Sequence, residues 1–194
     1  MLRIAMLSLL ADSDYSGYDL SKAFDRSITY VWAASQSQIY PELHKLEAKG
    51  LIDGADVPQE GRPDKRVYRI TPAGRAALVT WVEQPPTALS IRDPFQLQVI
   101  NIGRLDPATA RALVEEQRKL MGQRLDVLRS IRASLEATGH EPGEPWSDQL
   151  GWRLTVEAGL RTADAYVQWC EWTITQLDAS ATRRPRRSPA PIRP

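Results

Sequence analysis

Between residues 2 and 84 the spacing of apolar residues changes twice, from helical to extended and back, and few folds accommodate that order. Leu2–Ala11 is apolar on nearly every side and reads as a buried helix. After the polar break Asp12–Ser16, Ser16 can cap a second helix in which Leu20, Ala23 and Phe24 recur at i, i+3 and i+4. A third helix is expected from Ser35 or Ser37, with Ile39, Leu43 and Leu46 inward and Gly50 at its end. Pro41 lies in its first two turns, where it removes one amide and strains the helix start. Past Gly50 the pattern becomes extended: LIDGADV, a turn-rich VPQEGRPDKR punctuated by Gly61 and Pro63, then VYRIT. Thr71-Pro72 restarts a helix with a hydroxyl cap and a proline at the first helical position. That helix carries Ala77, Leu78 and Trp81 and ends before Pro85-Pro86. Three helices, a strand, a loop, a strand and a helix make the order of a winged helix-turn-helix.

The remainder is helical. A short helix is expected over Asp93–Asn101 and a long one over Ala108–Thr138, started by Asp106-Pro107. A second long helix follows over Ser147–Leu177, beyond a Gly/Pro/Glu-rich loop at 139–145. Leu113, Leu120, Leu128, Ile131 and Leu135 define one apolar stripe, and Leu150, Leu154, Leu160, Val167, Ile174 and Leu177 the other. Two helices of roughly 30 residues reach about 45 Å each, and one such hairpin cannot cover both of its apolar sides. The fold class expected is mainly α with a small β-hairpin wing: an N-terminal winged helix-turn-helix plus a C-terminal helical hairpin that pairs with a second copy. Residues 1–84 then form the first domain, 85–178 the α-helical dimerisation domain, and 179–194 a disordered Arg/Pro-rich tail.

Composition narrows the function by exclusion. The 194 residues are 42% hydrophobic and 25% charged, an ordinary globular balance. No apolar run reaches the roughly 18 residues of a membrane span, and the first residues do not resemble a secretory signal, so a cytoplasmic location is expected. Cys170 is the one cysteine, and with only His44 and His140 beside it no zinc-ligand spacing arises, so neither metal nor cofactor is expected. Its default reading is a small buried hydrophobe, with thiol sensing as the other. Residues 1–84 hold ten Lys/Arg against eleven Asp/Glu, and residues 85–178 ten against thirteen. The last sixteen hold five Arg and no acid. Bulk charge gives no warrant for nucleic-acid binding, so any such reading rests on local placement.

Catalytic patterns are missing: the chain has no Gly-x-Ser-x-Gly, no Gly-rich phosphate loop and no His-Glu-x-x-His, and it is not expected to be an enzyme. The third helix is the informative segment. With Ile39, Leu43 and Leu46 inward, its other face carries Gln36, Ser37, Tyr40, Pro41, His44 and Lys45. Gln36 and Gln38 suit bidentate contact to adenine, Tyr40 and Lys45 contact to phosphate. Any exposed helix face is polar, so this alone decides nothing. A basic loop beside it adds weight: Arg62, Lys65 and Arg66 surround the Gly61–Pro63 tip, where a wing neutralises flanking phosphates. Glu60 and Asp64 weaken that field. On the last helix Trp152, Tyr166, Trp169 and Trp172 concentrate, a wall for a planar or cationic ligand or the packing of a dimer interface. The i, i+3 spacing of Trp169 and Trp172 beside the apolar stripe favours packing. Trp32, just before the third helix, belongs to the N-terminal core or to a cleft against the partner's last helix.

Four strings in order, MLRIAMLSLL, SGYDLSKAF, SQIYPELHKLEAKGLI and GRPDKRVYRITPAGRAAL, resemble the PadR family of bacterial transcriptional regulators. The two long helices resemble more loosely the C-terminal domain of its virulence-activator-like branch. The resemblance implies a winged-helix DNA-binding homodimer, usually a repressor of an operator in double-stranded DNA, in some members answering a small aromatic or cationic effector. It places Tyr40, Pro41, His44 and Lys45 on the recognition helix and Arg62, Lys65 and Arg66 on the wing. The acidic body and the arginine-rich tail depart from the family. A different reading, an adaptor that docks proteins on the winged helix and the hairpin, is separated from it by gel shift.

Overall fold

The computed structural model describes residues 1–27, 34–58, 64–88, 92–137 and 148–182 and divides into two compact units, Met1–Leu89 and Ser90–Pro194. In the first, α1 (Leu2–Asp12), α2 (Gly17–Ser27) and α3 (Gln36–Ala48) precede β2 (Ile52–Val57), β3 (Lys65–Ile70) and α4 (Pro72–Val82). A two-residue strand β1 (Tyr15–Ser16) joins them, in the segment expected to be only a polar break. It pairs antiparallel with β3, Tyr15 opposite Tyr68 and Ser16 opposite Val67, so the sheet runs β1-β3-β2. Two residues are too short to show a period, and so the strand leaves no sequence signal.

The ends of these helices follow their capping residues. Ser16 Oγ accepts from Asp19 N–H at 3.1 Å, and Thr71 Oγ1 accepts from Gly74 N–H at 3.0 Å. At the end of α3, Gly50 takes φ 66°, Gly50 N–H donates to Glu47 O, and Leu51 N–H donates to Leu46 O. This is the glycine-dependent helix stop expected there. The Thr71 hydroxyl donates to Gly50 O at 2.7 Å and ties the start of α4 to that turn. Met6, Leu7 and Leu10 of α1, Leu20 and Phe24 of α2, Ile39, Leu43 and Leu46 of α3, and Ile52 of β2 are buried together. At about 1.5–3 kcal/mol for each large side chain buried, this core holds α3 by one face only.

The second unit comprises α5 (Pro94–Ile100), a 3-10 turn (Ile102–Arg104), α6 (Pro107–Ala137) and α7 (Asp148–Ala181). Helices α6 and α7 pack antiparallel, pinned by Arg111–Asp178 at 3.2 Å and Arg118–Glu171 at 3.8 Å. The apolar stripe differs in detail from the one expected. Ala110, Val114, Leu125 and Leu128 are the buried residues of α6, whereas Leu120 is 47% exposed and Leu154 of α7 is 59% exposed. Leu120 follows the buried Val114 by six residues, which on a 3.6-residue period leaves it about a third of a turn away from the buried line. Helix α7 also runs four residues past Leu177, so Ala179–Ala181, expected in the tail, complete the helix. Residues 183–194 lie outside the described residues, as does His140.

Candidate nucleic-acid interface

Helix α3 presents the face that the sequence marks. Ile39, Leu43 and Leu46 are buried, while Gln36, Ser37, Gln38, Tyr40, Pro41, His44 and Lys45 are exposed. Pro41 is accommodated inside the helix without a break. Ser35, the N-cap, places its hydroxyl 2.8 Å from that of Ser37, and its N–H donates to Gln38 Oε1 at 3.0 Å. This is one half of a capping box, and it changes the role of Gln38. Bidentate recognition of adenine needs both the carbonyl and the amide of a side chain, so Gln38 could read a base only by giving up the cap. Gln36 carries no such engagement among the described residues.

Tyr40 is seated on α2. Its ring lies against Gly17, where an added Cβ would come within 2.6 Å of Tyr40 Cε1, and it is still 42% exposed. Lys45 Nζ lies 3.4 Å from Glu42 Oε2, an exposed pair one turn apart that a phosphate could replace at little cost.

The wing is more occupied than its composition suggests. Arg62 lies outside the described residues. Lys65 Nζ is 4.0 Å from Asp19 Oδ2 at the start of α2. Arg66 reaches Glu47 Oε1 of α3 at 2.6 Å with one terminal nitrogen and both oxygens of Asp56 on β2, at 3.1 and 3.2 Å, with the other. Its guanidinium stands 6.0 Å from the Tyr68 ring. Hydrogen bonds to Glu47 and then Asp56 push its pKa further above the ordinary arginine value. Arg69 donates to Asp14 Oδ2 at 2.6 and 2.9 Å, and that hydrogen bond holds the Asp14 carboxyl below the usual carboxylate range. Every described cation of β3 thus faces a carboxylate from another element. A search for positive charge alone does not find Glu47 and Asp56. A cue exists, since Asp56 and Arg66 stand five residues either side of Gly61 and are cross-strand partners in the hairpin.

The aromatic residues of α7 do not form one wall. Tyr166 and Trp169 pack edge to face with centroids 5.1 Å apart, and Phe95 of α5 adds a second edge at 5.9 Å. Trp172, by contrast, is 60% exposed on another side, Trp152 is half-buried three turns and more away, and Trp32 lies outside the described residues. Tyr166 and Trp169, with Gln96, Val99, Ile100, Thr162 and Ala165, line an open cleft of about 470 Å³. The Tyr166 hydroxyl donates to Asp93 Oδ2 at 2.7 Å, while Asp93 Oδ1 caps α5 through Phe95 N–H at 2.9 Å. Burial first, and that bond second, raise the Tyr166 phenol well above its ordinary value, so it remains a neutral donor. Cys170 lies in the same core with Phe95, Val114 and Ile174, and burial pushes its thiol up, which suppresses the reactive thiolate. Among the described residues no helix is long and apolar enough to cross a membrane.

Known proteins are similar to this chain in sequence and in fold. The sequence pattern of the transcriptional regulator PadR-like family matches residues 6–80, and that of the virulence activator alpha C-terminal domain matches residues 91–178. The negative transcriptional regulator PadR of Bacillus subtilis is 30% identical over 179 residues, covering 92% of this chain and 98% of the relative. The crystal structure of Bacillus subtilis PadR in complex with operator DNA superimposes with a TM-score of 0.78 at 30% identity, over 90% of this chain and 97% of that one. Its complex with p-coumaric acid gives 0.71 at 29% identity, over 91% and 95%. With two family patterns spanning most of its length, on a winged helix-turn-helix followed by paired long helices, the chain belongs to the PadR-like family of transcriptional regulators.

Proposed function

We propose that this regulator is a cytoplasmic homodimer that represses transcription by binding an operator, and that a small aromatic effector relieves it. The observation that carries the reading is α3, which buries Ile39, Leu43 and Leu46 and turns Gln36, Ser37, Tyr40, Pro41, His44 and Lys45 to solvent. A helix held by one face, with hydrogen-bonding and cationic groups on the other, is what a major groove accepts. The first unit then reads DNA and the second dimerises, with half-sites about one helical turn, roughly 34 Å, apart. Repression is supported by the relative that is a negative regulator. Effector relief is supported by the relative solved with p-coumaric acid and by the cleft with Tyr166 and Trp169 on one wall. Gln96 and Thr162 in that cleft offer polar partners to a planar acid.

Selection of bound sequences from random DNA, then gel shift with and without p-coumaric acid, tests this. Lys45→Ala is expected to abolish the operator shift and Tyr40→Ala to weaken it by at least about tenfold, while dimer mass, read by sedimentation, is unchanged. The double change of Arg62 and Lys65 to Ala is expected to reduce the slope of log affinity against log salt, by up to roughly 0.9 for each phosphate no longer neutralised. Retention of every sequence equally, abolished by salt, would instead favour a protein-docking adaptor. The four clustered arginines Arg183, Arg184, Arg186 and Arg187 would supply that kind of sequence-blind attraction.

A further inference from the structure

Among the cations near α3, Arg66 is the one most fully engaged. It bridges three elements: its own strand β3, Asp56 on β2 and Glu47 on α3. Glu47 Oε1 accepts in addition from Gly54 N–H at 3.1 Å, so the carboxylate that holds Arg66 is itself fixed to β2. Gly54 leaves the room required. An added Cβ there would lie 2.6 Å from both Arg66 Nε and Glu47 Oε1. One cation between two carboxylates makes a group of net charge −1, which repels phosphate. To turn its two terminal nitrogens to a DNA backbone, Arg66 would have to give up its bonds to Glu47 and Asp56.

We infer that Arg66 is a positioning residue rather than a phosphate ligand: through Glu47 and Asp56 it fixes α3 against the wing hairpin, and so sets how sharply operator is told from other DNA. The inference rests on the DNA-binding reading above. Ion pairs this exposed contribute little to stability individually, so the consequence falls on geometry more than on melting temperature. Arginine is required because only a planar fork spans two carboxylates, and lysine, a point charge, cannot.

The test uses the full chain, its selected operator and a scrambled duplex of equal length, titrated over a range of salt. Arg66→Ala, Arg66→Lys and Glu47→Gln are each expected to lower the operator-to-scrambled affinity ratio by about tenfold. The salt slope for operator should be unchanged, and melting should stay within a few degrees of wild type. The double variant Arg66→Ala with Glu47→Gln should be no worse than the worse single variant. A salt slope reduced by about 0.9 in Arg66→Ala, with operator and scrambled DNA weakened alike, would make Arg66 a phosphate ligand and overturn the inference. Wild-type binding by Arg66→Lys, or an unchanged ratio in Glu47→Gln, would overturn it too, and those variants remain informative if Arg66→Ala fails to fold. A wild-type chain that prefers no sequence would defeat the DNA-binding reading instead, a result visible before any variant is made.

Discussion

The ring of Tyr40 keeps its position because residue 17 has no side chain. Gly17 opens α2 directly behind Ser16, and the Tyr40 ring fills the space where a Cβ would stand. Gly17→Ala leaves the polypeptide free to fold, since its clash is with the edge of a half-exposed ring that can swing away. The ring then points elsewhere on the surface that is proposed to meet DNA. Operator affinity is expected to fall by about tenfold, a displacement energy near 1.4 kcal/mol. In a Tyr40→Ala background the same change should add nothing. Gel shift of the two single variants and the double variant measures that coupling.

Among the elements, the junction of α3, β2 and α4 has the least slack. Gly74, in the first turn of α4, sits so close to the end of α3 that a Cβ would come 2.1 Å from Leu51 O. Backbone cannot retreat as a side chain can, so Gly74→Ala is expected to destabilise the first unit by about 1–3 kcal/mol. In a domain of this size each kcal/mol lowers the melting temperature by roughly 4–8 °C, measurable by circular dichroism. The sequence marks this junction through Gly50 and Thr71-Pro72, because turn and cap chemistry is local. It is silent on the closeness of Gly74 to Leu51, which depends on the packing of chain segments more than twenty residues apart. The same division runs through the interface. The outward face of α3 follows from a 3.6-residue period, whereas the carboxylates that restrain Lys65, Arg66 and Arg69 follow from hairpin register and helix packing. For Gln38 the residue type suggests base recognition, yet its i, i+3 relation to Ser35 is the spacing of a cap, and the cap is what forms.

On the scale of the molecule, the long helices of the second unit leave apolar side chains outward along their length. Leu154 and Trp172 of α7 are each more than half exposed, with Leu120 and Val127 of α6 exposed as well. Such a hairpin fits the homodimer expected from its length, since a second copy would cover faces that one copy leaves open. Leu154→Glu combined with Trp172→Glu is expected to convert the dimer to monomer at micromolar concentration by sedimentation velocity. A dimer that withstands both charges would move the interface elsewhere. Cys170 constrains any other route to a pair. With one thiol per chain, sealed among Phe95, Val114 and Ile174, covalent twins that form during storage in air must come from molecules whose helices had already parted. Such species would record damage, and their linkage would carry no information about how two intact copies meet.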